Sequence, residues 1–295
     1  MGSSKDKQNS RGKQGSKEKR RSKSRKRKTL AEKADRFHCY QQSVQAPDHE
    51  VDFFEQAYRD EFRRKPYTLR EDFCGTFSIC CHWVKSNSRR TAIGVDLCGE
   101  TLQWGRDHNL SKLTNTQQTR VRLIEQDVRK RNRPQVDVLA AQNFSFWIFK
   151  TRSEVIEYFK AARANISTEG IMVMDMMGGG DCYLEGHVDK RTIKKGKKGF
   201  KYLWKQVSYN PINHDASFSI SFKFNDGSKL KDAFEYHWRF WSIPEVREML
   251  KEAGFSESYV YWEGEDENGE DNGQWERQEQ AESAAVWIAY IVAVK

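Results

Sequence analysis

Four polar side chains end four successive predicted strands of this 295-residue chain, in an order that suits the binding of a nucleoside. Glu71 follows the first strand, Asp96 ends the second, Asp127 ends the third and Asn143 ends the fourth. In an open parallel sheet, ligands bind beyond the carboxyl ends of the strands, near the point where strand order reverses. A carboxylate there can accept hydrogen bonds from both hydroxyls of a ribose. One strand-end acid is more often a simple cap, so the interpretation depends on all four.

The turn after the first strand, Cys74-Gly75-Thr76, leads directly into a predicted helix. The first turn of that helix offers backbone N–H groups to a polar or anionic group. Phe73 and Phe77 stand where a Gly-x-Gly-x-x-Gly pattern would have glycines. A pyrophosphate needs glycines there for close backbone approach, so the turn favours a nucleoside with a different tail over a dinucleotide.

Short apolar runs alternate with amphipathic runs from residue 68 onwards, which predicts βαβ units and a parallel sheet. A helix over 49–64 precedes this series. The predicted strands and helices are strands 68–73, 91–97, 121–128, 136–144 and 171–177, and helices 76–86, 99–113 and 153–167. A capped helix at 242–255 and strands 258–264 and 285–294 complete the domain.

Residues 178–241 have a different sequence pattern, in which aromatic and polar residues roughly alternate. Runs 200–209, 217–224 and 232–241 predict an antiparallel insert that forms the acceptor pocket. Aromatic walls with one cation could hold an amine or a planar ring, although alternating aromatics often only pack together. His237 is the one base candidate in the insert. The candidate pocket residues are Tyr202, Trp204, Tyr236, Trp238, Arg239 and Trp241.

The series EDFCGT, GVDL, EQDV and NFSF resembles motifs I to IV of the class I S-adenosylmethionine-dependent methyltransferases. The form E-D-F-C-G-T is similar to that of a bacterial-type branch of the family. The resemblance covers roughly residues 38–295. It implies a Rossmann-like α/β fold with a mostly parallel seven-stranded sheet, a small antiparallel insert, and S-adenosylmethionine as cofactor.

The resemblance also implies roles for individual residues. Glu71 and Gly75 would contact the methionine portion of the cofactor, Asp96 the ribose and Asp127 the adenine, while Asn143 would lie beside the transferred methyl group as a catalytic residue. Tyr40 and Gln45, ahead of the 49–64 helix, would close over the cofactor as a lid. The remaining predicted cofactor contacts are Arg70, Leu97 and Val128.

The basic charge of the chain is concentrated in a tail. Residues 1–33 carry 14 Lys and Arg against 3 Asp and Glu, whereas residues 34–295 carry 37 against 39. The tail has almost no apolar residue, which predicts disorder, and RRSKSRKRK fits a nuclear-localisation signal or a nucleic-acid patch. We expect a nuclear or cytoplasmic protein, because no apolar run is long enough to span a membrane.

The predicted reaction is methyl transfer to a small-molecule acceptor by in-line displacement. The sulfonium methyl is already electrophilic, so the protein has mainly to position the reactants, and we expect neither a metal nor a Ser-His-Asp triad. The alternative is a degenerate methyltransferase fold that acts as a nucleic-acid-binding or scaffold protein. The altered glycines favour this alternative, whereas Glu71, Asp96 and Asp127 oppose it.

Overall fold

The computed structural model describes residue 1 and residues 27–194, 196, 199–267 and 271–295. Most of the predicted 1–33 tail therefore lies outside the described residues, and its nuclear and nucleic-acid roles stay predictions. Residues 29–33 are folded: the backbone N–H groups of Leu30 and Ala31 donate to Asp226 and Ser228 in the insert. The predicted domain boundary at residue 33 is therefore several residues too late.

The central sheet has eight strands in the order β11-β10-β12-β5-β4-β1-β2-β3. Its strands are β1 (Thr68–Asp72), β2 (Thr91–Asp96), β3 (Val121–Glu125), β4 (Val136–Ala141), β5 (Ile166–Gly178), β10 (Glu257–Glu265), β11 (Asp271–Arg277) and β12 (Trp287–Val294). The first five pair in parallel, and β12, β10 and β11 pair antiparallel. Because β1 lies between β2 and β4, the strand order reverses at β1.

A second, four-stranded antiparallel sheet forms the insert, in the order β6-β7-β8-β9. Its strands are β6 (Val188–Ile193), β7 (Phe200–Tyr209), β8 (Asp215–Phe224) and β9 (Lys229–Arg239). Strand β6 is an edge strand that carries Lys190 and Arg191, and charge on an edge strand is the usual protection against further strand pairing.

Helices cover both faces of the central sheet. They are α1 (Arg36–Val44), α2 (Pro47–Phe62), α3 (Ser78–Ser86), α4 (Gly99–His108), α5 (Asn115–Gln118), α6 (Arg152–Asn165) and α7 (Ile243–Glu252). One core packs α6, α7 and part of the insert against the sheet, and the other packs α2 and α3 against its opposite face. Ser242 caps α7 through a reciprocal hydrogen-bond pair with Glu245, as its sequence predicts. None of the described helices is long and apolar enough to cross a membrane.

The predicted order of strands and helices is confirmed, with the parallel sheet and the antiparallel insert. The prediction of seven central strands is wrong, because β11 adds an eighth at the sheet edge. This strand lies in an acidic segment between β10 and β12 that was not among the predicted strands. The buried Trp275 anchors it against the aromatic side chains of Phe53 and Tyr290.

Candidate functional site

The loop after β1 keeps a glycine-like backbone although phenylalanine replaces two glycines. Phe73, Gly75 and Phe77 all have left-handed φ angles, of 55°, 52° and 47°. For a residue with a side chain this conformation costs about 1–2 kcal/mol. Packing offsets that cost: Phe77 is fully buried, and a Cβ on Gly105 would lie only 2.4 Å from its ring. The absent glycines therefore leave the left-handed path of the loop intact.

Asp96 ties the end of β2 to this loop. Its two carboxylate oxygens accept from the backbone N–H groups of Gly75 and Cys98, each at 2.8 Å. A carboxylate has about four lone-pair sites, so Asp96 keeps capacity for further donors. The next residue, Leu97, is 69% exposed and presents an apolar surface beside that carboxylate. The pair offers an acceptor for hydroxyl groups next to a face on which a planar base can lie.

Glu71 lies beneath the loop rather than on its surface. It is 4% exposed, and its Oε2 accepts from the backbone N–H of Cys80 at 3.1 Å. Burial raises the pKa of its carboxyl to about 8. Glu71 therefore holds α3 against β1. Its buried carboxyl is not exposed for the predicted contact with a cofactor.

Arg70 is also a structural residue, which corrects its predicted place among the cofactor contacts. It is 1% exposed, and its Nε donates to Asp72 at 2.6 Å. The remaining guanidinium nitrogens donate to the Val128 carbonyl and the Asn132 side chain, each at 2.7 Å. Arg70 thus positions the segment after β3. Val128 itself is buried, so only its neighbour Asp127 reaches the edge of the sheet there.

Asp127 lies just beyond the end of β3, and its side chain is half-buried. Its carboxylate pairs with Arg129 at 2.6 Å, and the hydrogen bonds from Arg129 lower its pKa. The structure therefore places Asp127 with Gly75, Asp96 and Asn143 at the carboxyl edge of the parallel strands, as predicted. At that edge, the Asp127 carboxylate is already paired with the Arg129 guanidinium.

Helix α1 lies over the loop, where the two predicted lid residues are. Gln41 donates to Thr76 at 2.8 Å, and the Gln45 side chain accepts from Ser78 at the same distance. Tyr40 points the other way and shares a hydrogen bond with Tyr236 of the insert. Helix α1 therefore joins the loop to the insert.

A cavity of about 720 Å³ opens between α1, α2, the end of β5 and the insert. Nine of its lining residues are aromatic, and the predicted pocket residues Tyr202, Trp204, Tyr236 and Trp238 are among them. The further residues used below are Tyr40, His49, Glu50, Asn143, Phe144, Asp175, Gln206, Trp275 and Tyr290.

Asn143 and Phe144 form a left-handed turn at the mouth of the cavity, with φ angles of 59° and 56°. The buried carboxylate of Asp175 holds this turn, because its two oxygens accept from the backbone N–H groups of both residues at 2.9 Å. The Asn143 side chain is left to face the cavity. Burial raises the pKa of Asp175 to about 6.

Glu50, in the first turn of α2, is one of three side chains of the cavity wall with a buried polar atom that has no partner among the described residues. Its side chain is 7% exposed, and its Oε2 has no hydrogen-bond partner among the described residues. Burial, with the neighbouring charges of Glu71 and Asp175, raises its pKa to about 8. Gln206 Nε2 and Trp275 Nε1 are likewise buried in the cavity wall without a partner in the described part of the chain.

Three predicted pocket residues lie elsewhere. Side chains alternate across a strand, so His237 and Arg239 project from the opposite face of β9 to Tyr236 and Trp238. His237 is exposed and pairs with Ser217 at 3.0 Å, while Arg239 donates to the Lys150 carbonyl and stacks on Trp241. His237 and Arg239 are not among the residues that line the cavity, and their predicted roles stay predictions.

Sequence reasoning missed Glu50 and Asp175, although each left a signal. Asp175 interrupts the apolar run IMVMDMM, where a buried charge needs a reason. Glu50 falls on the buried stripe of α2 with Phe53, Phe54 and Ala57 at helical spacing. Gln206 carried no comparable signal, because half the positions of an insert strand face inwards in any register.

The fold matches solved structures of S-adenosylmethionine-dependent methyltransferases. A methyltransferase from Clostridium acetobutylicum superposes with a TM-score of 0.62 at 17% identity, covering 88% of this chain and 97% of its own. An S-adenosylmethionine-bound amino pentose methyltransferase from Micromonospora echinaspora gives 0.63 at 13% identity, covering 88% and 96%. A sugar N-methyltransferase from a Streptoalloteichus species gives 0.60 at 14% identity, covering 89% and 93%.

No protein-family model matches the chain, and no curated protein is similar to it in sequence. At identities this low, the structural matches establish the fold alone. The chain therefore has the class I methyltransferase α/β fold, with its mostly parallel sheet and a separate antiparallel sheet. The fold prediction drawn from the four sequence motifs is confirmed at this level.

Proposed function

We propose that this protein is an S-adenosylmethionine-dependent methyltransferase that acts on a small-molecule acceptor. One observation carries the proposal: Asn143 ends β4 at the predicted cofactor edge of the sheet and also lines the aromatic cavity. A methyl group presented at that edge would face the acceptor directly. The Asn143 amide can orient the acceptor atom by a hydrogen bond without exchanging a proton itself.

The residues of the loop fit the cofactor. Asp96 has lone pairs left for ribose hydroxyls, Leu97 offers an apolar face for the adenine, and Gly75 places a backbone turn beside both. The bound cofactor would supply an electrophilic methyl group. The protein then has to bind, orient and exclude water, and such positioning can supply roughly 7–11 kcal/mol of the barrier.

The cavity supports a small acceptor rather than a macromolecule. Its volume of about 720 Å³ lies within the range of small-molecule pockets, and its aromatic walls with a few polar atoms are typical of them. The structural neighbours include a sugar N-methyltransferase and an amino pentose methyltransferase, which supports the same class of acceptor.

Calorimetric titration of the full-length protein with S-adenosylhomocysteine tests the proposal. We expect one site per chain, and a Kd raised about 10–100-fold in Asp96→Asn, because hydrogen bonds to a charged group are each worth about 1.5–3 kcal/mol. Asp48→Asn, an exposed carboxylate of α2, is the matched control and should bind normally. Absence of binding by the unaltered protein would contradict the proposal. It would instead favour the degenerate scaffold.

A further inference from the structure

The charged groups of the cavity are mainly carboxylates. Among the described residues, its lining includes Glu50, Asp175 and three further carboxylates against one guanidinium, that of Arg191. Arg191 is already committed, since it pairs with Asp189 at 3.5 Å and lies over the Tyr202 ring. Burial also lowers the pKa of His49, which disfavours the charged form of that imidazole. The cavity therefore presents a net negative field to a ligand.

One of these carboxyl groups, that of Glu50, is buried without a partner in the described part of the chain for one of its oxygens. Glu50 is more than nine-tenths buried, yet its Oε2 has no partner among the described residues. Leaving a buried charge unpaired is costly, so Glu50 is mainly protonated at neutral pH, and a cation bound beside it would stabilise the carboxylate. Asp175 differs, because both of its oxygens hold the Asn143–Phe144 turn.

Aromatic rings surround these carboxylates. Tyr236 and Trp238 lie 4.4 Å apart between ring centroids, and Trp204 lies 5.8 Å from Tyr236. Ring faces attract a cation, and this attraction grows when the cation is removed from water. An aromatic wall and an unpartnered carboxylate select the same chemistry, that of an ammonium group on an organic body.

We propose that the acceptor is a small amine, whose ammonium group binds Glu50 within the aromatic walls of the cavity. The proposal rests on the proposed function only for naming the cavity as the acceptor site. It assigns ligand binding to Glu50 rather than to the predicted pocket residue Arg239, which lies on the other face of its strand.

Glu50 is also the proton acceptor in this scheme. An ammonium nitrogen has no free electron pair, so it must lose a proton before it can receive a methyl group. The N–H bond breaks, the proton moves to a Glu50 carboxylate oxygen, and the electron pair stays on nitrogen. The raised pKa of Glu50 suits a group that takes up a proton near neutral pH.

Two sources of ammonium must be distinguished, since the cofactor carries its own α-amino group. Glu50→Gln keeps the shape of the side chain and removes its charge. The probe is benzylamine, and benzyl alcohol is its neutral match; both are titrated calorimetrically into the full-length protein, and S-adenosylhomocysteine is titrated separately. Asp52→Asn, an exposed carboxylate on the same helix, is the control variant.

We expect the unaltered protein to bind benzylamine at least about tenfold more tightly than benzyl alcohol, and Glu50→Gln to lose this preference. Affinity for S-adenosylhomocysteine should stay unchanged in Glu50→Gln, and Asp52→Asn should behave as the unaltered protein. Glu50→Asp, which keeps the charge, should retain part of the preference and serves in place of Glu50→Gln if that variant does not fold.

Three results would overturn the inference. They are equal affinity of the unaltered protein for the two probes, an undiminished preference in Glu50→Gln, and a parallel loss of S-adenosylhomocysteine affinity in Glu50→Gln. The last result would assign the carboxylate to the cofactor. Failure of the unaltered protein to bind S-adenosylhomocysteine would instead contradict the proposed function, whatever the amine does.

Discussion

The loop after β1 and the aromatic cavity lie at the same edge of the sheet, but their polar groups are satisfied in opposite ways. In the loop region, Asp96 accepts two backbone N–H groups, and Arg70 donates to four partners. In the cavity, Glu50, Gln206 and Trp275 each keep a buried polar atom without a partner among the described residues. The polar groups of the loop region are hydrogen-bonded to one another, whereas those of the cavity remain available to a ligand.

The largest expected effect comes from breaking the internal bonding of the loop region. Arg70→Leu leaves Asp72 buried without its cation, which should lower the free energy of unfolding by about 3–5 kcal/mol. Arg36→Leu breaks an exposed ion pair with Glu100 and should cost at most about 1 kcal/mol. Chemical denaturation measures both. An Arg70→Leu protein that unfolds normally but binds S-adenosylhomocysteine poorly would return Arg70 to the cofactor site.

The buried carboxyls predict how stability depends on pH. Glu50 and Glu71 have pKa values raised to about 8, against 4.5 for the ordinary group. Between these values the folded state binds more protons than the unfolded state, so the free energy of unfolding should fall as pH rises from 4.5 to 8. A difference of one between the folded and unfolded pKa of a group corresponds to about 1.4 kcal/mol. The melting temperature of Glu50→Gln should depend less steeply on pH across this window than that of the unaltered protein. An identical dependence on pH would mean that folding does not raise the pKa of Glu50.

Asn143 joins the two regions, so its removal should affect turnover and leave cofactor affinity unchanged. Asn143→Gly removes the amide but tolerates the left-handed φ, whereas Asn143→Ala also strains the turn. We expect kcat to fall about 10–100-fold in the glycine variant, for one lost hydrogen bond of about 1–3 kcal/mol. Full turnover of Asn143→Gly would remove the side chain from the site. Loss only in the alanine variant would make its role one of backbone shape.

The smallest effects separate the two faces of β9. His237→Ala should change kcat/KM less than about twofold, because the imidazole faces solvent, where substitutions are usually near neutral. Tyr236→Phe removes the hydrogen bond to Tyr40 and should lower affinity for the acceptor several-fold, at about 1 kcal/mol for the bond. A strong effect of His237→Ala with a silent Tyr236→Phe would reverse the assignment of the faces.

The sequence predicted the loop region well because its determinants are local. Gly75 and Asp96 each fall at the end of a predicted strand, and parallel strands bring such ends together whatever packs around them. The same reasoning placed Arg70 wrongly, since alternation along β1 does not show which face another segment will cover. Only the folded chain brings Val128 and Asn132 against that guanidinium.

The cavity was harder to predict because distant segments build it. Glu50 and Asp175 are 125 positions apart in the chain, and the aromatic strands β7, β8 and β9 lie further along the sequence than either. The exclusion of His237 from the cavity wall was available earlier, since Tyr236 and Trp238 cannot share a face with the residue between them. Strands β6 and β11 were missed because charged residues on edge strands resemble those of loops.

The most direct test of the account is the structure of the full-length protein crystallised with S-adenosylhomocysteine. We predict the ribose hydroxyls on Asp96, the adenine beside Leu97, and the sulfur at the mouth of the aromatic cavity next to Asn143. The cavity itself should stay open to an acceptor in contact with Glu50. A cofactor seated inside the cavity, with its adenine between Trp204 and Trp238, would contradict the division between a loop that holds the cofactor and a cavity that holds the acceptor.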